Sequence, residues 1–208
     1  EHGSEAIDAF VFDDDGHLYI SWKAYGLDSR PIEIVAARLS QDGLSLESEP
    51  FTLLVDEEGI GIEGQCHLKI GEYYYLIYAA RGCCGPGSDY EVRVARADSF
   101  LGPYENCPVN PILEGGDGDF ISCGHGTVVY GDDGRMFYMC HAYKKGAEFF
   151  MGRQPVIHEL VLDDDGWLSF VNGDIALSEQ KVPCRGVKQK ATEGFSDDFD
   201  ASALSPEW

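Results

Sequence analysis

The sequence predicts an all-β protein organised as a propeller, and three observations carry that prediction. Turns of the Asp-Gly type recur between apolar or aromatic runs, at Asp13–Gly16, Gly131–Gly134 and Asp163–Gly166, with Gly71-Glu72 as a shorter variant. Glycine accepts positive φ without steric cost, so such turns favour tight hairpins. The flanking runs alternate with period two or are short and rich in Tyr, Val and Ile, and no stretch carries the 3.6-residue period of a long amphipathic helix. Third, the turns at Gly16, Gly71 and Gly134 lie about 55 and 63 residues apart, room for about four strands per unit, which is a blade-like period. A β-sandwich with similar turns is the alternative this pattern leaves open.

In chain order, Phe10–Phe12 and Leu18–Trp22 flank the first acidic turn. Ile32–Leu39 alternates and ends in Gln41-Asp42-Gly43. His67–Ile70 and Tyr73–Tyr78 form a second hairpin, and Glu91–Arg96 alternates before a loop at Asp98–Tyr104. Thr127–Tyr130 pairs with Met136–Cys140, and Ile157–Leu162 with Trp167–Phe170. The expected division is a partial propeller over residues 1–185, a polar linker over 186–194, and the opening of a C-terminal β-sandwich over 195–208.

The formal net charge is −22 over 208 residues, which argues against nucleic acid or an anionic membrane as partner and leaves a neutral sugar unopposed. No apolar run is long enough for a membrane-spanning helix, and no signal-peptide pattern opens the chain. Glu1-His2-Gly3-Ser4 reads as an internal stretch of a longer product. The seven cysteines lack zinc-site spacing; Cys83-Cys84 fits both a vicinal disulfide and two free thiols, and the odd count leaves at least one unpaired within the chain. Glu63, set between Gly61 and Gly64 at the head of an aromatic hairpin, is a candidate catalytic acid.

Five segments, in order, resemble glycoside hydrolase family 43. Ile7-Asp8-Ala9 running into the Asp13–Gly16 turn is similar to that family's Ile-Asp-Pro segment, with Ala9 for the commoner Pro. Ile62-Glu63-Gly64 before His67-Leu68 resembles its Glu-Gly-Pro segment, with Gln65 in the Pro position. Tyr90–Ala97 with Gly102-Pro103-Tyr104, Gly124-His125-Gly126, and Gly152-Arg153 with Asp165-Gly166-Trp167 resemble three further segments. The tail from Phe195 resembles the start of the sandwich attached to β-xylosidase-like and arabinofuranosidase-like members.

The resemblance implies a five-bladed propeller of which this chain supplies about three and a half to four blades. It implies an inverting hydrolase that removes arabinofuranosyl or xylosyl units from plant arabinoxylan or arabinan, acting outside the cell. Glu63 would be the general acid and Asp8 the modulator that favours its protonated form by charge repulsion. The catalytic base, an Asp of the first blade, has no match here, so a complementary N-terminal polypeptide is expected to carry it. His125 matches a channel histidine that often helps hold a hydrated calcium; no organic cofactor is expected. Arg153 and His125 are candidate substrate contacts, and Trp22, Tyr25 and Phe150 are candidates for stacking on a sugar ring. The competing function is a non-catalytic carbohydrate-binding propeller.

Overall fold

The computed structural model describes residues 5–147 and 151–180. Within them lie three four-stranded antiparallel sheets, each a simple meander. The first holds β1 (Ala6–Asp14), β2 (His17–Ala24), β3 (Glu33–Arg38) and β4 (Phe51–Val55). The second holds β5 (Ile62–Ile70), β6 (Tyr73–Ala80), β7 (Glu91–Ala97) and β8 (Glu105–Asn106), and the third β9 (Phe120–Tyr130), β10 (Met136–Lys144), β11 (Gln154–Leu162) and β12 (Leu168–Phe170). No α-helix occurs among the described residues.

Turn chemistry sets the hairpins. At the first one, Asp15 and Gly16 both adopt positive φ, 51° and 87°, the backbone of a type I′ turn, and Asp13 Oδ1 accepts the Gly16 N–H at 2.7 Å. The turns after β1, β5 and β9 open the three sheets, so the period of the first three turns does mark sheets. The Ile157–Phe170 hairpin differs from its three counterparts: it is the outer half of the third sheet, paired through β11 to β10. Strands β4 and β8 are short and were not foreseen, because neither has alternation long enough to stand out.

The second sheet is buried on both faces. Leu76 and Tyr78 of β6 pack with Ile34, Leu53 and Leu54 of the first sheet. Tyr75 and Ile77 pack the opposite way, with Tyr138, Val156 and Leu160 of the third. A strand covered on both faces has no polar side to show, which explains the unbroken aromatic run seen in the sequence. The third sheet's last turn clamps onto the second: Tyr75 Oη donates to the Gly166 carbonyl at 2.7 Å, and the Arg96 guanidinium lies 3.8 Å over the Trp167 ring. Four free cysteines, Cys66, Cys107, Cys123 and Cys140, are buried as small apolar groups between these sheets, whereas Cys83 and Cys84 are bonded to each other. Cys184 lies outside the described residues, as do Phe150 and the segments 186–194 and 195–208.

The first strand of each sheet is the inner one. β5 packs directly against both β1 and β9, which brings Asp8, Glu63 and His125 to one level.

Candidate active site

Each inner strand breaks its ladder at that level with a β-bulge. In β1, Ile7 faces Lys23 and Phe10 faces Ser21, so Asp8 and Ala9 together occupy one partner position. In β5, Gly64 and Gln65 do the same between the Glu63–Ala79 and Cys66–Ile77 pairs. In β9 it is His125 and Gly126, between Gly124–His141 and Thr127–Met139. The first bulge residue is left-handed in all three: φ is 59° at Asp8, 59° at Gly64 and 49° at His125. A bulge re-aims its side chain, and here it turns Asp8 and His125 toward the Gly64 backbone between them. Gly64 is required on steric grounds too, since a Cβ there would lie 2.8 Å from the His125 ring.

Asp8 Oδ2 accepts the Gly64 N–H at 2.9 Å, and Gln65 Nε2 donates to the Asp8 carbonyl at 2.5 Å. Beneath them Ser21 Oγ lies 2.8 Å from Nε2 of His67, whose burial pushes it down to about 3, so this imidazole is neutral. His125 Nδ1 is 3.8 Å from Asp8 Oδ2. Glu63 is held at both oxygens: Tyr90 Oη donates to Oε1 at 2.9 Å, and Lys23 Nζ to Oε2 at 3.2 Å. The Glu63 and Asp8 side chains are 19% and 16% exposed, shielded but reachable.

Burial, followed by the Glu63 and Asp8 carboxylates, pushes the Tyr90 phenol far above its ordinary range, so it remains a donor. Its ring stacks on His141 at 5.6 Å between centroids and rests against Gly124, where no side chain would fit. Burial, Arg153 and His125 together lower His141 to about 4. Its neutral ring takes the Arg153 Nη1 donor on Nε2 at 3.2 Å, which leaves the proton on Nδ1. A cavity of about 410 Å³ opens here, walled by Asp8, Phe10, Gln65, His125, Met139 and His141 among others.

The candidates of the sequence separate into two groups. Asp8 and His125 line this cavity; Arg153 connects to it through its bond to the lining His141, and Glu63 through Tyr90, whose ring stacks on His141. Trp22 does not join them: it is 9% exposed and packed with Ala24, Val35 and Ala37, and core packing rather than sugar stacking accounts for its ring. Tyr25 has one ring face taken by the Arg30 guanidinium, 3.8 Å from its centroid. Among the described residues no group of three or more His, Cys, Asp or Glu converges as a metal site. Calcium prefers six to eight oxygen ligands, so an ion at His125 would take most of its sphere from water.

A family sequence profile, glycosyl hydrolases family 43, matches residues 1–168. The chain belongs to that family. Among family 43 relatives it is 30% identical over 155 residues to a non-reducing end alpha-L-arabinofuranosidase of Bacteroides ovatus, covering 72% of this chain and 29% of that protein. It is 27% identical over 178 residues to an extracellular exo-alpha-(1->5)-L-arabinofuranosidase of Cellvibrio japonicus, covering 78% and 50%. The crystal structure of a xylan beta-1,4-xylosidase from Bacillus halodurans superposes with a TM-score of 0.79 at 26% identity, over 98% of this chain and 40% of that one. The chain thus spans half or less of the length of these family 43 proteins.

Lys23, Tyr90, Gln65 and His141 were missed in the sequence. Lys23 had a readable signal, a lone charge inside the apolar strand Ile20–Ala24. Tyr90 had none, because its role depends on the approach of strands distant in sequence.

Proposed function

We propose that the protein is an inverting glycoside hydrolase that removes arabinofuranosyl or xylosyl units from plant hemicellulose, with Glu63 as general acid and Asp8 as the modulating carboxylate. The observation that carries this reading is a pair of shielded carboxylates on adjoining inner strands: Asp8, at the bulge of β1, lines the cavity, and Glu63, directly before the bulge of β5, is fixed at both oxygens. An acid at that position protonates the leaving oxygen as the glycosidic bond breaks, while a base on the opposite face activates water. Asp8, whose Oδ2 is bonded to the amide directly after Glu63, favours the protonated acid by like-charge repulsion. Tyr90 keeps the acid in one orientation. Arg153, bonded to the cavity-lining His141, and His125, which lines the cavity itself, would meet sugar hydroxyls.

Inversion requires carboxyls about 6.5–9.5 Å apart. The base is assigned to an Asp on a further, N-terminal segment that forms a blade before β1. The three sheets then count as blades of a five-bladed ring. The named activities of the relatives, arabinofuranosidase and xylosidase, support the substrate class, and the extracellular Cellvibrio protein supports secretion. The test is release of arabinose or xylose from arabinoxylan by the full-length protein. Glu63→Gln is expected to lower that rate by about 10²–10⁴-fold. Unchanged hydrolysis in this variant refutes the assignment, and glycan binding without any turnover in the full-length protein favours the non-catalytic binding propeller.

A further inference from the structure

Lys23 is an unusual residue to find against a catalytic acid. It stands on β2 of the first sheet, opposite Ile7, and reaches across to β5 of the second. Its ammonium lies 2.8 Å from Glu5 Oε2 and 3.2 Å from Glu63 Oε2, with only 10% of the side chain exposed. Burial opposes its charge, but the two carboxylates outweigh burial and raise it above the ordinary lysine range. It is therefore a permanent cation touching the carboxylate that has to take up a proton.

The other titratable groups around Glu63 come from every neighbouring element. Asp8 on β1 and Glu5 before it bring two further carboxyl groups, and Tyr90 before β7 stays neutral. His141 on β10 is neutral, and His125 on β9 lies beside Asp8. Arg153, just ahead of β11, bonds to His141. Lys23 and Asp8 thus bring groups of opposite charge type to Glu63. Glu5 shares the same ammonium at the shorter distance.

We propose that Lys23 is the positioning residue of Glu63, holding Oε2 while Tyr90 holds Oε1, and that Glu5 sets how much of the lysine charge Glu63 feels. This rests on the reading of Glu63 as the acid and adds a second, cationic control on it. The two partners act with opposite sign. Removing the cation in Lys23→Met makes Glu63 easier to protonate, so the alkaline limb of the kcat/KM profile moves to higher pH, by about one unit. Releasing the whole ammonium to Glu63 in Glu5→Gln moves the same limb to lower pH by a similar amount. Lys23→Arg keeps the wild-type limb. In Lys23→Met, kcat falls about tenfold with KM nearly unchanged, because Lys23 binds the acid and not the sugar.

The deciding measurement is the pH profile of these three variants in the full-length protein, paired with a 13C-carboxyl NMR titration of Glu63 that needs no turnover. Opposite movements in Lys23→Met and Glu5→Gln, with rescue by Lys23→Arg, are expected in both experiments. An unmoved titration, or movement of both variants in the same direction, overturns the inference. Opposite NMR shifts in a protein that does not hydrolyse glycans support the charge pair and instead refute Glu63 as an acid.

Discussion

Around Glu63, two hydrogen bonds fix a carboxylate that the chain would otherwise leave to rotate. Tyr90 and Lys23 lie 27 and 40 residues away in sequence, and they reach Glu63 from just before β7 and from β2. Tyr90→Phe isolates one of these bonds, because the ring keeps its place against Gly124 and His141. Loss of a hydrogen bond to a charged group costs about 1.5–3 kcal/mol. Steady-state kinetics of the full-length variant are therefore expected to show kcat reduced about tenfold or more and KM nearly unchanged. Glu63 itself was legible, since a carboxylate flanked by glycines at the head of an aromatic strand is an odd neighbour for a buried hairpin. Its partners were less so: Lys23 shows only as a lone charge in an apolar strand, and nothing local in Tyr90 records which strand will pack beside it.

At the element scale, the hairpins were legible and the bulges were not. Asp15-Gly16 announces its turn through the local cost of positive φ, whereas two residues facing one is a relation between strands. The Asp8, Gly64 and His125 bulges nonetheless decide where the chemistry points. Gly64→Ala tests the middle one. It combines a left-handed backbone with a Cβ 2.8 Å from His125, and urea unfolding is expected to show a loss of about 2–4 kcal/mol, with His125 displaced. The third bulge is supported from behind by Tyr138, whose Oη accepts the Gly126 N–H at 2.9 Å. Tyr138→Phe strands that amide in a buried site and should cost about 1–3 kcal/mol in the same assay.

Across the whole molecule, three sheets share two apolar interfaces, and several histidines are sealed into or beside them. Burial lowers His67 to about 3 and His158 to about 4, and burial with Arg153 and His125 beside it lowers His141 to about 4. An unfolded histidine titrates near 6.5. Between those values the unfolded chain binds more protons than the folded one, so this contribution to stability is fully present above about pH 6.5 and is lost as pH falls toward 3–4. Melting temperature is expected to decline steadily from pH 7 to pH 4, and more shallowly in His67→Gln, which cannot protonate; an equal slope in both proteins contradicts this account.

The repeated bulge has a consequence for the remainder of the catalytic machinery. Because ladder register rather than loop shape aims Asp8, Glu63 and His125, the axis has an address: the two-for-one step of an inner strand, or the residue just before it. The base of the proposed mechanism can then be sought by coordinate instead of by motif, as an Asp at that step in a strand whose next residue pair breaks alternation.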